Sequence, residues 1–318
     1  GRPGQHRLGA LLPPGPHAGD VLDLNRALAV KLAFEDVGAP EVEADSLLPA
    51  DTLAFLRSGP EALDVARRAL AWALEILGRY DGPDLVRADV VIPRRSVRLN
   101  APIPRPGKLV GVARNYASHS AERGQQQPPK EPILFIKAST AVIGPADDIL
   151  LPRASQQVDF EAELAVVIGR LARRIESPDA LDYVAGYTVA NDVTARDFQD
   201  ARGQRFIGKS CDTFAPIGPA LVTADEIPDP QSLSIQTSVN GELRQSASTA
   251  EMIFPVAEIL AFASGLMTLE PGDVILTGTP AGVGAANDPP CWLSDGDIVN
   301  IEIEGLGRLR NFVRDEPS

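Results

Sequence analysis

Three acidic side chains stand where two apolar segments of the sequence begin or end. Glu161 and Glu163 are two residues apart at the start of VDFEAELAVVIG, and Asp192 ends GYTVAND. Residues i and i+2 of a strand face the same side, so Glu161 and Glu163 would present their carboxylates together. An exposed strand edge also explains that pair, but Asp192 adds a third carboxylate with no adjacent cation. Three such oxygens suit Mg²⁺ or Mn²⁺, whereas zinc would favour nearby Cys or His.

A histidine and a glutamate share the segment ARNYASHSAE. His119 is the one histidine outside the N-terminal stretch, and Glu122 follows it at i+3. In a helix the two share a face, so the carboxylate can orient the imidazole as a general base. A solvated helix face is the alternative interpretation of this spacing when it is taken alone.

The stretch GQRFIGKS, from Gly203 to Ser210, matches the phosphate-binding pattern G-x-x-x-x-G-K-[ST]. A phosphate loop needs a strand before it and a helix after it. The preceding TARDFQDAR is polar and favours a helix, whereas Pro216 and Pro219 prevent a helix from running on downstream. The match is therefore interpreted as a coincidence, and Lys209 needs another explanation.

Composition and charge limit the class of protein. The chain has 318 residues, of which 44% are hydrophobic and 23% charged, as in ordinary globular proteins. A formal net charge of -13 argues against nucleic acid, whose binding needs clustered lysine and arginine. Cys211 and Cys291 are too far apart in sequence for a paired-cysteine metal site. No apolar run is long enough to span a membrane, and we expect a cytoplasmic protein without a membrane partner.

The pattern of elements changes near residue 100. Residues 1–99 include the amphipathic segments VLDLNRALAVKLAFE and PEALDVARRALAWALEILGRY and predict a small N-terminal α/β domain. Residues 100–318 contain many short β-rich runs with few helices, and Asn240-Gly241 predicts a hairpin turn. The sequence thus predicts an α+β, β-rich protein of two domains.

Several ordered blocks from about Ala101 to the C-terminus resemble the fumarylacetoacetate hydrolase superfamily. They are ARNYASHSAE, FIKAS, DFEAELAVVIG, GYTVANDVTARDFQ, GKSCDTFAPIGP, VNGELRQ, MIFPVAEIL and TGTPAGVG. The resemblance implies the superfamily's C-terminal β-sandwich roll with short helices, residues 100–318 as the catalytic domain, and a homodimer.

The resemblance also implies roles for individual residues. Glu161, Glu163 and Asp192 would bind Mg²⁺ or Mn²⁺, and Lys209 would face the negative charge that develops on a small 2-oxo acid. His119 and Glu122 would activate water on a segment that closes over the ligand. The substrate-binding residues that it implies are Arg114, Tyr116, Lys137, Arg196, Gln199 and Thr279.

The chemistry implied is cleavage of the bond to C3 of a short 2-oxo acid through an enolate, by acylpyruvate hydrolysis or oxaloacetate decarboxylation. If only a proton moves, the same enolate gives a 5-carboxymethyl-2-hydroxymuconate-type isomerase or a tautomerase. A sugar-acid dehydratase or diketo-acid hydrolase is a further alternative. The alternative from a different class is a binding protein that keeps the metal site but catalyses no reaction. The residues thus predict how the site withdraws electrons from the substrate, but they do not predict which group leaves C3.

Overall fold

The computed structural model describes residues 6–80, 85, 88–122, 124 and 127–317. The chain divides into two compact units, Gly1–Arg98 and Leu99–Ser318. Across the described residues, no helix combines the length and apolar character needed to cross a bilayer.

The N-terminal unit contains a three-stranded sheet with the order β1-β2-β3 and several helices. Its elements are β1 (Gly9–Leu11), β2 (Val21–Asp23), α1 (Leu24–Phe34), α2 (Pro40–Leu47), α3 (Thr52–Arg57), α4 (Pro60–Tyr80) and β3 (Val91–Ile92). The predicted helix from Pro60 to Tyr80 is confirmed. The other predicted helix begins later than its sequence pattern indicates, because Val21–Asp23 pairs with β1 and Asp23 then caps α1 by accepting from the Arg26 N–H.

The second unit is built from strands and four short helices in the described part of the chain. Its strands are β4 (Leu109–Ala113), β5 (Ile133–Lys137), β6 (Val142–Ile143), β7 (Ile149–Leu151), β8 (Val158–Asp159), β9 (Ala162–Ile168), β10 (Val184–Asn191), β11 (Thr194–Ala195), β12 (Ala215–Thr223), β13 (Ser234–Val239), β14 (Glu242–Ser248), β15 (Val274–Leu276), β16 (Ile298–Ile303) and β17 (Gly307–Asp315). Its helices are α5 (Ala117–Glu122), α6 (Arg196–Arg202), α7 (Arg205–Lys209) and α8 (Val256–Leu266). Its short 3₁₀ turns lie at Ser139–Ala141, Ser177–Tyr183, Ala224–Glu226, Thr249–Glu251 and Gly284–Ala286, and a further one at Arg94–Ser96 belongs to the N-terminal unit.

The strands of this unit form a seven-stranded sheet, a five-stranded sheet and a two-stranded ladder. The strand orders are β5-β4-β15-β9-β10-β12-β6, β14-β13-β16-β17-β7 and β11-β8. The predicted hairpin joins β13 to β14, and Asn240 and Gly241 have φ values of 54° and 83° as its turn requires. The α+β, β-rich fold predicted from the sequence is confirmed.

Two central strands of the larger sheet position the acidic residues. Every residue of β9 is buried, as its nearly continuous apolar sequence predicts. β9 and β10 run antiparallel, with Ala190 opposite Glu163 and Asn191 opposite Ala162. The start of β9 therefore lies beside the end of β10, and the residues that flank these two ends are neighbours.

We predict that Gly186→Ala destabilises the second unit. Gly186 of β10 pairs with Thr223 of β12, and a methyl group there would lie 2.1 Å from the Val222 carbonyl oxygen. Because the obstacle is backbone, the sheet must shift, at a cost of about 1–3 kcal/mol in the free energy of unfolding. Urea denaturation measures this loss.

Gly265→Ala is the matched control for this substitution. A methyl group at Gly265, on α8, meets no atom within 4 Å. Alanine also has the higher helix propensity, so this variant should be as stable as the parent or more stable. Equal unfolding midpoints for the two variants would contradict the predicted clash.

Candidate active site

Three carboxylates meet where β9 begins and β10 ends. One oxygen from each of Glu161, Glu163 and Asp192 lies within 4.8 Å of the others, and all three residues are buried. The Asp192 N–H donates to the Glu161 carbonyl at 2.8 Å, which extends the β9–β10 pairing to the residues that carry two of these carboxylates. The structure thus brings together the three residues that the sequence predicts as metal ligands.

Two lysines contact this acidic triad from different sides. The Lys209 ammonium donates to Glu161 Oε2 at 2.7 Å and to Thr194 Oγ1 at 2.9 Å, and it also contacts Asp192 Oδ2. The Lys137 ammonium is buried and lies 2.5 Å from the other oxygen of Asp192. Asp192 is therefore held between two cations.

Asp159, which the sequence analysis did not single out, anchors a further part of the site. It accepts from Arg196 at 2.7 and 2.9 Å and from the amides of Gly284 and Ala285 at 2.7 and 3.1 Å. Arg196 Nη2 also lies 2.6 Å from Glu161 Oε1. Asp159 thus links the Arg196 guanidinium to the chain segment at residue 284.

A sequence signal for Asp159 does exist. It stands two residues before Glu161, so VDFEAE continues the spacing of the two glutamates one step upstream. Its partners Arg196 and Gly284 lie 37 and 125 residues away, however, and no local pattern connects them. The contacts that give Asp159 its role are therefore tertiary.

The buried charges shift one another's titration. Burial opposes ionisation of Glu161, but the charges of Lys209 and Arg196 outweigh it and hold its pKa below the usual range. Burial also opposes the charged form of Lys209, yet Asp192 and Glu161 raise its pKa. For Glu163, burial and the charges of Asp192 and Glu161 act together and raise the pKa well above its usual value.

Glu163 provides the test of whether a divalent cation fits this site. Its Oε2 accepts from the Gly278 N–H at 2.6 Å, and in the described part of the chain no lysine or arginine forms an ion pair with it. A buried carboxylate without a counter-ion is costly unless it is protonated or binds a cation. Three converging carboxylate oxygens are also the donor type that Mg²⁺ and Mn²⁺ prefer, so the residues fit such an ion.

The loop after β15 supplies the Gly278 amide because β15 pairs with β9. Leu276 lies opposite Ala165, so the chain that follows β15 passes beside Glu163. Gly278 has a φ of 96°, and a methyl group there would lie 2.7 Å from Asn115 Cβ. Glycine is required at this close approach.

The histidine and glutamate of α5 are in direct contact. His119 Nδ1 lies 2.8 Å from Glu122 Oε1, and the Gly282 N–H donates to Glu122 Oε2 at 2.8 Å. His119 is 9% exposed, which does not agree with the alternative of a solvated helix face. Glu122 thus orients the imidazole and also joins α5 to the segment at Gly282.

One cavity collects most of the predicted site residues. Those that line it are Arg114, His119, Glu161, Glu163, Asp192, Arg196, Gln199, Lys209 and Thr279. Phe135 and Arg205, which were not predicted, line it too, and the Lys209 ammonium lies 5.1 Å from the Phe135 ring centroid. Thr279 Oγ1 accepts from Gln245, a further positioning residue that the sequence analysis missed.

Two residues predicted to bind substrate lie behind this cavity instead. Lys137 is 1% exposed, and its ammonium is used by Asp192 and by the carbonyl oxygens of Val193 and Phe214. Tyr116 is fully buried and pairs through its backbone with Met252, and burial raises the pKa of its hydroxyl. Neither residue is among those that line the cavity, and Lys137 instead holds Asp192 from within the protein.

The stretch GQRFIGKS does not have the surroundings of a phosphate loop. The helix α6 precedes it and the strand β12 follows it, which reverses the order that such a loop requires. Its residues Arg205–Lys209 themselves form the short helix α7, whose last residue is the lysine that contacts Glu161.

We predict that Asp159→Asn lowers the stability of the second unit and displaces Arg196. Arg196 keeps Glu161 as its remaining counter-ion, but the neutral amide is a weaker acceptor for the guanidinium and for the Gly284 and Ala285 amides, at a cost of about 1–3 kcal/mol. Chemical denaturation measures the loss. The exposed Asp179→Asn serves as the control and should change the unfolding free energy by less than about 0.5 kcal/mol. Equal unfolding free energies for the two variants would show that Asp159 does not stabilise the second unit in this way.

We predict that a divalent cation displaces a proton from Glu163. Because the pKa of Glu163 is raised and metals bind ionised carboxylates, affinity should increase with pH up to that pKa and level off above it. Calorimetric titration with Mn²⁺ in two buffers of different ionisation enthalpy measures the released proton. Glu163→Gln should abolish the release and weaken binding, whereas the exposed Glu258→Gln should match the parent. Binding enthalpies that do not depend on the buffer would contradict this prediction.

Comparisons with known proteins agree with the resemblance. The model of the fumarylacetoacetate (FAA) hydrolase C-terminal family matches residues 108–314. A mitochondrial oxaloacetate tautomerase of Bos taurus is 46% identical over 308 residues, which cover 94% of this chain and 88% of that protein.

Two solved structures are also similar. Fumarylacetoacetate hydrolase from psychrophilic Exiguobacterium antarcticum is 46% identical with a TM-score of 0.64, and the match covers 69% of this chain and 79% of that one. For 2-hydroxyhepta-2,4-diene-1,7-dioate isomerase from Mycobacterium marinum the identity is 43%, the TM-score 0.63 and the coverage 72% and 82%. With its family match over most of the second unit and its near full-length relative, the chain belongs to the fumarylacetoacetate hydrolase family.

Proposed function

We propose that this protein is an oxaloacetate tautomerase, which moves a proton between the enol oxygen and C3 of oxaloacetate. The observation that carries the proposal is that the acidic triad, Lys209 and His119 line a single cavity. The identity of 46% to the bovine oxaloacetate tautomerase over 94% of the chain supports it. Tautomerisation needs only the formation of an enolate, and no group has to leave C3.

We propose Mg²⁺ or Mn²⁺ as the cofactor, held by Glu161, Glu163 and Asp192. When bound, such an ion withdraws electrons from the 2-oxo acid and stabilises the negative charge that develops at its oxygen. Lys209 adds a second positive charge beside the substrate, and its ammonium is held in place by Glu161 and Thr194. The counter-charge for an enolate is therefore provided by groups that are already oriented.

His119 is the residue placed to move the proton at C3. Glu122 accepts from the imidazole at Nδ1, so Nε2 is left as the basic nitrogen. In the direction from keto to enol, Nε2 takes the C3 proton, and the electrons of that C–H bond form the C2–C3 double bond. The π electrons of the C2 carbonyl move to its oxygen, which takes the proton from the imidazolium, so His119 returns to its neutral form and no carbon is lost.

Hydrolysis of an acylpyruvate, which the sequence analysis places first together with decarboxylation, is the second candidate. The same His119–Glu122 pair can activate a water molecule, and the Exiguobacterium antarcticum hydrolase is 46% identical. Tautomerisation is preferred because its named relative covers more of this chain. The homodimer and the cytoplasmic location stay predictions, and the bovine relative is named as a mitochondrial protein.

The decisive experiment follows the ultraviolet absorbance of enol-oxaloacetate with the Mn²⁺-loaded protein. We expect rapid loss of the enol signal, and a loss of rate of about 10²- to 10⁴-fold in His119→Ala, as for removal of a general base. His17→Ala, in the N-terminal unit, is the control and should retain the parent rate. A second assay measures the release of pyruvate from oxaloacetate and from acetylpyruvate. If pyruvate is released faster than the enol is lost, the protein cleaves its substrate and the proposed tautomerase activity is wrong.

A further inference from the structure

The cavity contains an arginine that neither the family resemblance nor the electrostatic cluster explains. Arg205 lines the cavity, and in the described part of the chain its guanidinium forms no hydrogen bond or ion pair. The other cations close to the triad are in use, since Asp159 and Glu161 hold Arg196, and Glu161 holds Lys209. Within the described residues, Arg205 is thus a cation of this cavity without a counter-ion from the protein.

Helix geometry places Arg205 one turn away from Lys209. The two residues are the first and last of α7, four positions apart, so they lie on the same face with Cβ atoms about 5–6 Å apart. Lys209 is buried against the triad, whereas Arg205 is half-buried. A ligand that extends from the triad along this face therefore meets Arg205 with its far end.

The helix that carries Arg205 has little freedom to turn. A methyl group at Gly208 would lie 2.7 Å from the Ala195 carbonyl oxygen and 2.8 Å from Gln199 Cβ. The backbone of α7 thus packs directly on the end of β11 and the first turn of α6, and this contact fixes which face of α7 is turned to the cavity. The position of Arg205 is set by the same packing that sets Lys209.

The charged side chains that line the cavity favour a substrate with two negative groups. Four cationic side chains and three carboxylates line it, and the proposed divalent cation adds two positive charges. Arg114 on another wall also has a buried Nε without a partner in the described structure, and its Nη2 is held by the Gln127 carbonyl at 2.7 Å. A second carboxylate on the substrate would reduce this excess of positive charge.

We propose that Arg205 is a specificity-determining residue that binds the substrate carboxylate remote from the triad. The site would thereby prefer 2-oxo dicarboxylates to 2-oxo monocarboxylates. A guanidinium suits this role because it meets a carboxylate with two parallel hydrogen bonds. The inference rests on the proposed function, which has a dicarboxylate as substrate.

The test compares the Mn²⁺-loaded parent with Arg205→Gln on oxaloacetate and on pyruvate, whose C3 protons exchange with deuterium in heavy water. We expect KM for oxaloacetate to rise about 10- to 100-fold with a smaller change in kcat, as for loss of a hydrogen bond to a charged group. The preference for oxaloacetate over pyruvate in kcat/KM should fall at least tenfold. Arg205→Lys should lie between the two, because it keeps the charge without the paired donors.

A pair of inert ligands separates this inference from the proposed function. Difluorooxaloacetate and trifluoropyruvate are 2-oxo acids that are both largely hydrated at C2 in water, have no C3 proton and differ in the remote carboxylate. In calorimetric titrations Arg205→Gln should lose affinity for the first at least tenfold more than for the second, whether or not the parent tautomerises oxaloacetate. The exposed Arg308→Gln is the control and should bind and react like the parent. Equal losses for both ligands, or an unchanged substrate preference, would overturn the role of Arg205.

Discussion

Compensation of buried charge is the constraint on which the site depends. Asp159, Glu161, Glu163 and Asp192 are all buried, and ionised carboxylates are costly to remove from water unless cations or hydrogen-bond donors replace the solvent. Lys137, Lys209 and Arg196 supply three positive charges within 2.7 Å of three of these acids. Glu163 has an amide donor but, among the described residues, no such cation, and this leaves the cluster one positive charge short.

In this arrangement some charged residues hold others in position, and a different set lines the cavity. Lys137 holds Asp192 from within the protein, and Asp159 holds Arg196 while its other contacts fasten the segment at Gly284. Lys209 and the triad line the cavity itself. The residues behind the cavity thus preorganise those in front, so the positive field is in place before negative charge develops on a substrate.

The same geometry explains why related proteins bear names of different reactions. An enolate of a 2-oxo acid is common to tautomerisation, isomerisation, decarboxylation and hydrolysis at C3, and under the proposed function the triad with Lys209 would stabilise that enolate in each of them. What differs is the group attached to C3 and the residue that meets it. In this chain His119, oriented by Glu122, and Arg205 on α7 line the cavity and are the groups that we propose for these two roles.

The sequence by itself determined the elements and the kind of chemistry. Apolar runs predicted β9 and β10, Asn240-Gly241 predicted the hairpin, and carboxylates next to buried strands predicted a site for a hard cation, because these signals are local in the chain. Only the tertiary structure decided which side chains line the cavity. Lys137 and Tyr116 lie behind the cavity, and Asp159 and Arg205 belong to the site. Strand register and helix packing set these positions through residues far apart in sequence, and no spacing within the chain records them.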